Sequence, residues 1–166
     1  MIKVNTTLEI DGGILVGHDG SPAASDAVRW AADLARRLGS KLHIVRSWAI
    51  SSAPKPATAT GGYVPPMTDF EAAVLDRLRA DIESLALPDD VDLDCHVLHG
   101  KAARRLLEAA KHADMLVLGA RGVGGFMGLR LGSTADQVVH HAPCPVVVVP
   151  ADGSDDPDEL DTELTN

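Results

Sequence analysis

Five short apolar runs, at positions 13–18, 41–47, 91–98, 114–118 and 145–149, are separated by stretches whose apolar residues recur every three or four positions. Such alternation points to a parallel sheet, because two parallel neighbours are joined only through a crossover of a dozen or more residues, usually a helix. The chain is therefore read as α/β. Its 166 residues make one domain with room for a real core. Hydrophobic residues are 45% of the sequence and aromatic ones only 3%, so that core has to be built from Ala, Val, Leu and Ile, which suits strands buried on both faces under Ala-rich helices.

The helices are marked by their ends. The first is expected to start at Ser21-Pro22, a hydroxyl cap followed by a proline whose missing N–H costs nothing there, and Gly39 ends it. Ala24, Ala27, Val28, Ala31, Leu34, Ala35 and Leu38 share its apolar face. The second opens with Thr68-Asp-Phe-Glu71, a capping box, keeps Phe70, Val74, Leu78, Ile82 and Leu85 on one side, and stops at Pro88. A third is expected over 101–112 and a fourth over 133–141. Residues 49–67, AISSAPKPATATGGYVPPM, are too long and too rich in Pro, Ala, Ser, Thr and Gly for an ordinary connection. They read as a mobile lid-like loop or a disordered excursion.

The formal charge of −9 comes largely from one end, where Asp152, Asp155, Asp156, Asp158, Glu159, Asp161 and Glu163 stand without a base. Residues 151–166 are expected to be an acidic disordered tail and residues 1–11 an N-terminal extension, with the domain proper over 12–150. The nearly neutral body carries no mark of a nucleic-acid partner. Neither an apolar run of membrane length nor a secretory signal is seen, and a cytoplasmic protein without membrane insertion is expected. Cys95 and Cys144 lie in strand-like stretches and read as buried inert thiols. The run His140-His141-Ala-Pro-Cys144 lacks the second ligand cluster that a zinc site would need.

The stretch GARGVGGFMGLRLGST, residues 119–134, holds six glycines in sixteen positions and directly follows the apolar run 115–118. A Gly-rich turn from a strand into a helix surrounds an open space with unpaired backbone N–H groups, and the helix N-terminus adds partial positive charge; both favour phosphate. Ser133 can cap the fourth helix or donate its hydroxyl to a phosphate. A Walker loop is ruled out because Gly132, not lysine, precedes Ser133; the dinucleotide fingerprint fails at Met127 and in following the fourth strand rather than the first.

What remains is Gly119-x2-Gly122-x9-Gly132-Ser133, and here the sequence resembles the ATP-binding members of the universal stress protein family. Ile14-Leu-Val-Gly-His-Asp-Gly-Ser21, Ala113-Asp-Met-Leu-Val-Leu-Gly119 and His141-Ala-Pro-Cys-Pro-Val-Val-Val-Val149 support the resemblance, which spans roughly residues 12–150. It implies a Rossmann-like, adenine nucleotide alpha hydrolase-like fold: an open five-stranded parallel sheet in the order 3-2-1-4-5 with helices on both faces. It also implies ATP and Mg²⁺ as cofactors. Asp19 would face the ribose or a Mg²⁺ ion, and Gly17 and Ser47 would border adenine and ribose. Gly119, Arg121, Gly122, Gly124, Gly125, Gly132, Ser133 and Thr134 would surround the phosphates. Arg130 is a further cation in the same loop. In that order the chain reverses between strands one and four, so Asp19 and the glycine loop meet at one crevice.

Hydrolysis needs a group that orients water and cations that neutralise the transferred phosphoryl. His18 is the nearest base candidate, and on a strand it points opposite to Asp19. The leading expectation is therefore an ATP-binding, nucleotide-dependent stress-response regulator acting on an unknown client protein. A slow ATPase or nucleotide-transfer enzyme using the same crevice is the alternative, and a structural dimer with an unused site is a third reading. The apolar run 145–150 belongs at the sheet edge, where it invites pairing with a second copy. The competing expectation is that Leu8-Glu-Ile10 of the N-terminal extension covers that edge.

Overall fold

The structure is a computed structural model that describes residues 3–121 and 131–150. Among these, β1 (Ile14–Gly17), α1 (Pro22–Leu38), β2 (Leu42–Trp48), α2 (Met67–Glu83), β3 (Leu93–His99), α3 (Ala102–Ala109), β4 (Met115–Gly119), α4 (Ser133–His141) and β5 (Val146–Val149) follow one another, with a 3-10 turn at Ala110–His112 after α3. All strand pairings are parallel and the sheet order is β3-β2-β1-β4-β5, as expected.

The period of two along each strand divides the core into two layers. Ile14, Val16, Leu42, Ile44 and Val117 meet α1 and α2 through Ala27, Val28, Ala31, Val74 and Leu78. Leu15, Val45, Leu98, Leu116 and Leu118 meet α3 and α4 through Leu106, Ala109, Ala135 and Val138. Every residue of β1 is buried, which places it at the centre of the sheet and explains why it is apolar without alternation.

The start and stop of α1 follow the expected chemistry. Ser21 Oγ accepts the Ala24 amide at 3.2 Å, and Gly39 takes φ 60° while its amide returns to the carbonyls of the last turn. Leu38, expected on the inner face, is 64% exposed, because the helix ends there and the residue turns out past the sheet.

Two helix starts differ from expectation. The capping box of Thr68 and Glu71 does not form: extended Pro66 precedes the first helical residue, Met67, so Thr68 already lies within the first turn. Glu71 instead accepts the backbone amide of Asn5 at 2.6 Å, and Asp69 accepts the Thr58 hydroxyl at 2.6 Å. In α4 the cap position is Gly132 and Ser133 is the first helical residue, so Ser133 does not cap.

The N-terminal extension runs along the edge opposite to β5. The His99 amide donates to the Asn5 carbonyl at 2.8 Å, Val4 joins the layer under α1 and α2, and Leu8 and Ile10 join the layer under α3 and α4. The extension therefore meets the β3 edge at Asn5, and Leu8 and Ile10 pack into the α3–α4 layer instead of pairing with the last strand. A cleft between this extension, α2 and β3 is lined by Asn5, Thr7, Glu71, Leu75 and His96, among others. At the other edge, all four valines of β5 remain half-buried. Residues 49–66 form successive turns and extended stretches, with Ala53 against the core and Pro56 buried. No helix among the described residues is long and apolar enough to cross a membrane.

Leu78 is 0% exposed between α2 and the sheet, so Leu78→Ala should cost about 2–5 kcal/mol in urea unfolding. The matching Leu38→Ala change should stay within about 0.5 kcal/mol. Equal losses at the two positions would contradict the observed face of the helices.

Candidate functional site

The carboxyl ends of β1 and β4 mark the point where the chain reverses across the sheet. The Asp19–Ser21 loop leaves β1 there, and the glycine-rich loop leaves β4. That second loop is closed at its stem, because the Gly132 amide donates to the Ala120 carbonyl at 2.7 Å and the Ala120 amide donates to the Val149 carbonyl at 2.9 Å. Gly119, Arg121, Gly132, Ser133 and Thr134 are thereby gathered at one end of the sheet. Gly122, Gly124, Gly125 and Arg130 lie outside the described residues.

Two of the expected ligand glycines are demanded by packing. A Cβ on Gly119 would lie 2.7 Å from the Ala23 carbonyl oxygen, so the first turn of α1 rests directly on the end of β4. A Cβ on Gly17 would lie 2.6 Å from Leu118 Cδ2 and 3.0 Å from Leu106 Cδ1; that position faces the α3 layer. Gly17 can border a ligand only through its main chain.

Asp19 is exposed, and its Oδ1 accepts the Ser21 amide at 2.9 Å, which fixes the carboxylate at the mouth of the α1 N-terminus. Ser47 is half-buried near the end of β2, on the same sheet face as Val45. At α4, no side chain among the described residues caps the first turn. The helix thus presents uncapped amides at Ser133 and Thr134 beside the closed stem of the loop.

Below the Asp19 loop lies a polar cluster that sequence reasoning missed. Arg46 is 9% exposed and donates to the His18 Nδ1 and carbonyl and to Asp81, the last at 2.8 Å. His18 is 3% exposed. Because Nδ1 accepts from Arg46, the ring proton sits on Nε2, which donates to Ser25 Oγ at 3.3 Å. Burial, then the Arg46 charge, pushes the His18 pKa from 6.5 down to about 4. Both ring nitrogens are engaged, so His18 is not placed to act as a base on a ligand. Burial alone would raise the Asp81 carboxyl, but hydrogen bonds from Arg46 and Arg77 outweigh it and hold the group below its ordinary range. The available sequence signal was a charged residue inside an otherwise apolar strand, Leu-His-Ile-Val-Arg46-Ser-Trp. Cys95 and Cys144 are free and half-buried, and burial raises both thiols, which keeps them unreactive.

The sequence profile of the universal stress protein family matches residues 13–150. The chain belongs to the universal stress protein family. A universal stress protein of Thermus aquaticus is 35% identical over 142 residues, covering 82% of this chain and 96% of that protein. One from Mycobacterium tuberculosis is 30% identical over 156 residues, covering 83% of this chain but only 48% of that protein. The chain thus spans about half the length of its mycobacterial relatives. Among solved structures, UspA from Lactobacillus plantarum has 26% identity and a TM-score of 0.64, covering 86% of this chain and 99% of that one. Universal stress proteins at 16–23% identity share the fold with TM-scores of 0.52–0.57.

The expected ligand position Gly119 is also a packing position. Gly119→Ala should destabilise the protein without any ligand, by about 1–3 kcal/mol in urea unfolding; an unchanged midpoint would contradict the observed contact with α1. His18 gives a pH signature. Its proton is bound in the unfolded chain near pH 6.5 but in the fold only near pH 4. Stability is therefore lost as pH falls through that window, by at most about 3 kcal/mol from this group. Unfolding free energies measured between pH 7 and 4 should fall less steeply in His18→Gln than in the wild type, and parallel curves would contradict a neutral buried imidazole.

Proposed function

We propose that this universal stress protein belongs to the ATP-binding subgroup and holds ATP with Mg²⁺ in the crevice between β1 and β4, acting as a nucleotide-dependent regulator. The observation that carries the reading is the α4 N-terminus, whose first-turn amides lack a side-chain cap and stand at the closed stem of a glycine-rich loop. A polyphosphate is the group that such amides suit, since it brings charge to the positive end of the helix and oxygens to the orphan donors.

Related structures support an adenine nucleotide as the class of ligand. One universal stress protein was solved in complex with cAMP, one from Archaeoglobus fulgidus with dAMP and one from Arabidopsis thaliana with AMP bound. In this chain Gly132, Ser133 and Thr134 would hold phosphate, with Gly119, Arg121, Gly122, Gly124 and Gly125 around it. Asp19 would face the metal or ribose, and the main chain of Gly17 and Ser47 would border the nucleoside. Mg²⁺ would neutralise phosphate charge beside Asp19.

Binding is favoured over turnover because the nearest imidazole, His18, is committed to Arg46 and Ser25. The liganded state would be read by a client protein. Assembly as a homodimer through residues 145–150 fits the edge position of β5, whose valines remain half-buried in the single chain.

Ser133→Asp separates ligand binding from folding. An acid in the first turn of α4 is favourable to the helix but repels phosphate, so ATP affinity in calorimetry should fall on the order of tenfold or more while the thermal midpoint without nucleotide does not drop. Unchanged affinity would remove α4 from the site. Phosphate release by the wild type should not exceed that of Asp19→Ala; clear excess would favour the slow ATPase.

A further inference from the structure

The opposite end of the sheet carries a cluster that the nucleotide crevice does not use. His43 on β2 is the register partner of Asp94 on β3, and His96 follows Asp94 by two residues, so all three point to one face of the sheet. Their ligand atoms lie within 4.8 Å of one another. We propose that His43, Asp94 and His96 form a site for a divalent transition metal of the zinc class, at the amino end of β2 and β3.

The donor set and its spacing carry the proposal. His43 Nδ1 and His96 Nε2 are 3.3 Å apart. Two nitrogens bound to one tetrahedral zinc at about 2.0–2.1 Å stand about 3.3 Å from each other, so both imidazoles already occupy adjacent corners of such a site. Two imidazoles and one carboxylate are a ligand set that zinc takes with its fourth position left to water. The set is wrong for Mg²⁺ or Ca²⁺, which prefer oxygens throughout.

The surroundings hold the donors in place. His43 is 8% exposed, and a Cβ on Gly13, which has φ 85°, would come within 3.2 Å of His43 Cδ2. The entry of β1 is thus shaped around the ring. Asp94 is on the solvent side, its side chain 51% exposed, which leaves a route for the ion.

Lys41 is the competitor. Its Nζ lies 2.8 Å from Asp94 Oδ2 and 3.9 Å from Asp92 Oδ1, so the ammonium occupies the charge position that a metal would share. A metal would weaken the contact to Asp94 and leave Lys41 with Asp92. Removing Lys41 should therefore tighten metal binding, an effect that a purely structural pair of hydrogen-bonded imidazoles does not predict. The bound ion would tie β2 to β3 beside the N-terminal extension.

The test uses the full chain freed of metal by chelator, titrated with Zn²⁺ against a chromophoric indicator and with Co²⁺ by its visible absorption. One equivalent of Zn²⁺ should bind, and Co²⁺ should give the intense bands of a four- or five-coordinate site. His96→Gln and Asp94→Asn should weaken Zn²⁺ on the order of tenfold or more, while Lys41→Met strengthens it and the double change His140→Ala with His141→Ala leaves it alone. Asp94 is exposed, so Asp94→Asn tests the site even if a histidine variant folds poorly, as far-ultraviolet circular dichroism would show. No saturable binding, or binding that survives both Asp94→Asn and His96→Gln, would overturn the proposal. ATP affinity should be the same with and without Zn²⁺, so failure of the metal site and failure of the nucleotide reading are seen separately.

Discussion

The contact between Gly119 and the first turn of α1 governs the carboxyl end of the sheet. With no side chain at Gly119, the Ala23 carbonyl comes close enough to touch the strand, and the N-terminus of α1 is drawn over the boundary between β1 and β4. The Asp19–Ser21 loop follows, because Ser21 caps the helix and Asp19 in turn accepts the Ser21 amide. The stem of the second loop is then closed by the Gly132 amide on the Ala120 carbonyl and tied to β5 by the Ala120 amide. Packing, capping and loop closure thus converge on one crevice, which sits where open α/β sheets reverse their strand order.

The electrostatics beneath the crevice are set by Arg46. A buried guanidinium is costly unless it is paired and its donors are satisfied, and here His18, Asp81 and the His18 carbonyl meet that requirement. Arg46 and Arg77 share the carboxylate of Asp81, and the Asp19 carboxylate also acts on His18, so the Arg46 charge has acidic groups near it. A Cβ on Gly20 would come within 3.7 Å of the Arg46 Nη2, which places that charge directly under the loop bearing Asp19.

Much of this fold was legible in the sequence, for reasons that are local. The strands announced themselves as short apolar runs because they are buried on both faces, and α1 was bounded by a hydroxyl, a proline and a glycine that act within one turn of the chain. The sheet order came from the resemblance, carried by the spacing of Gly119, Gly122, Gly132 and Ser133. What escaped were features decided by distant partners. Thr68 and Glu71 have the spacing of a capping box, but the helix starts earlier, just after extended Pro66, and Glu71 is taken by Asn5, 66 positions away. The extension could have covered either sheet edge by pattern alone; the Asn5 bond to His99 took it to β3. Asp94 and His96 are neighbours on β3, but His43 stands 53 positions before His96, and only the register of β2 with β3 brings it to their face. Arg46 was visible as an oddity within a strand, yet its partner on α2 was not.

The central claim is that main-chain amides between β4 and α4 receive the phosphates of an adenine nucleotide. The most direct measurement is a backbone-amide NMR titration of the full chain with ATP and Mg²⁺. The account predicts the largest shift changes at Asp19, Gly132, Ser133 and Thr134, with little change along β3. Changes confined to the cleft of Asn5, Glu71 and His96, with Gly132 to Thr134 undisturbed, would contradict it.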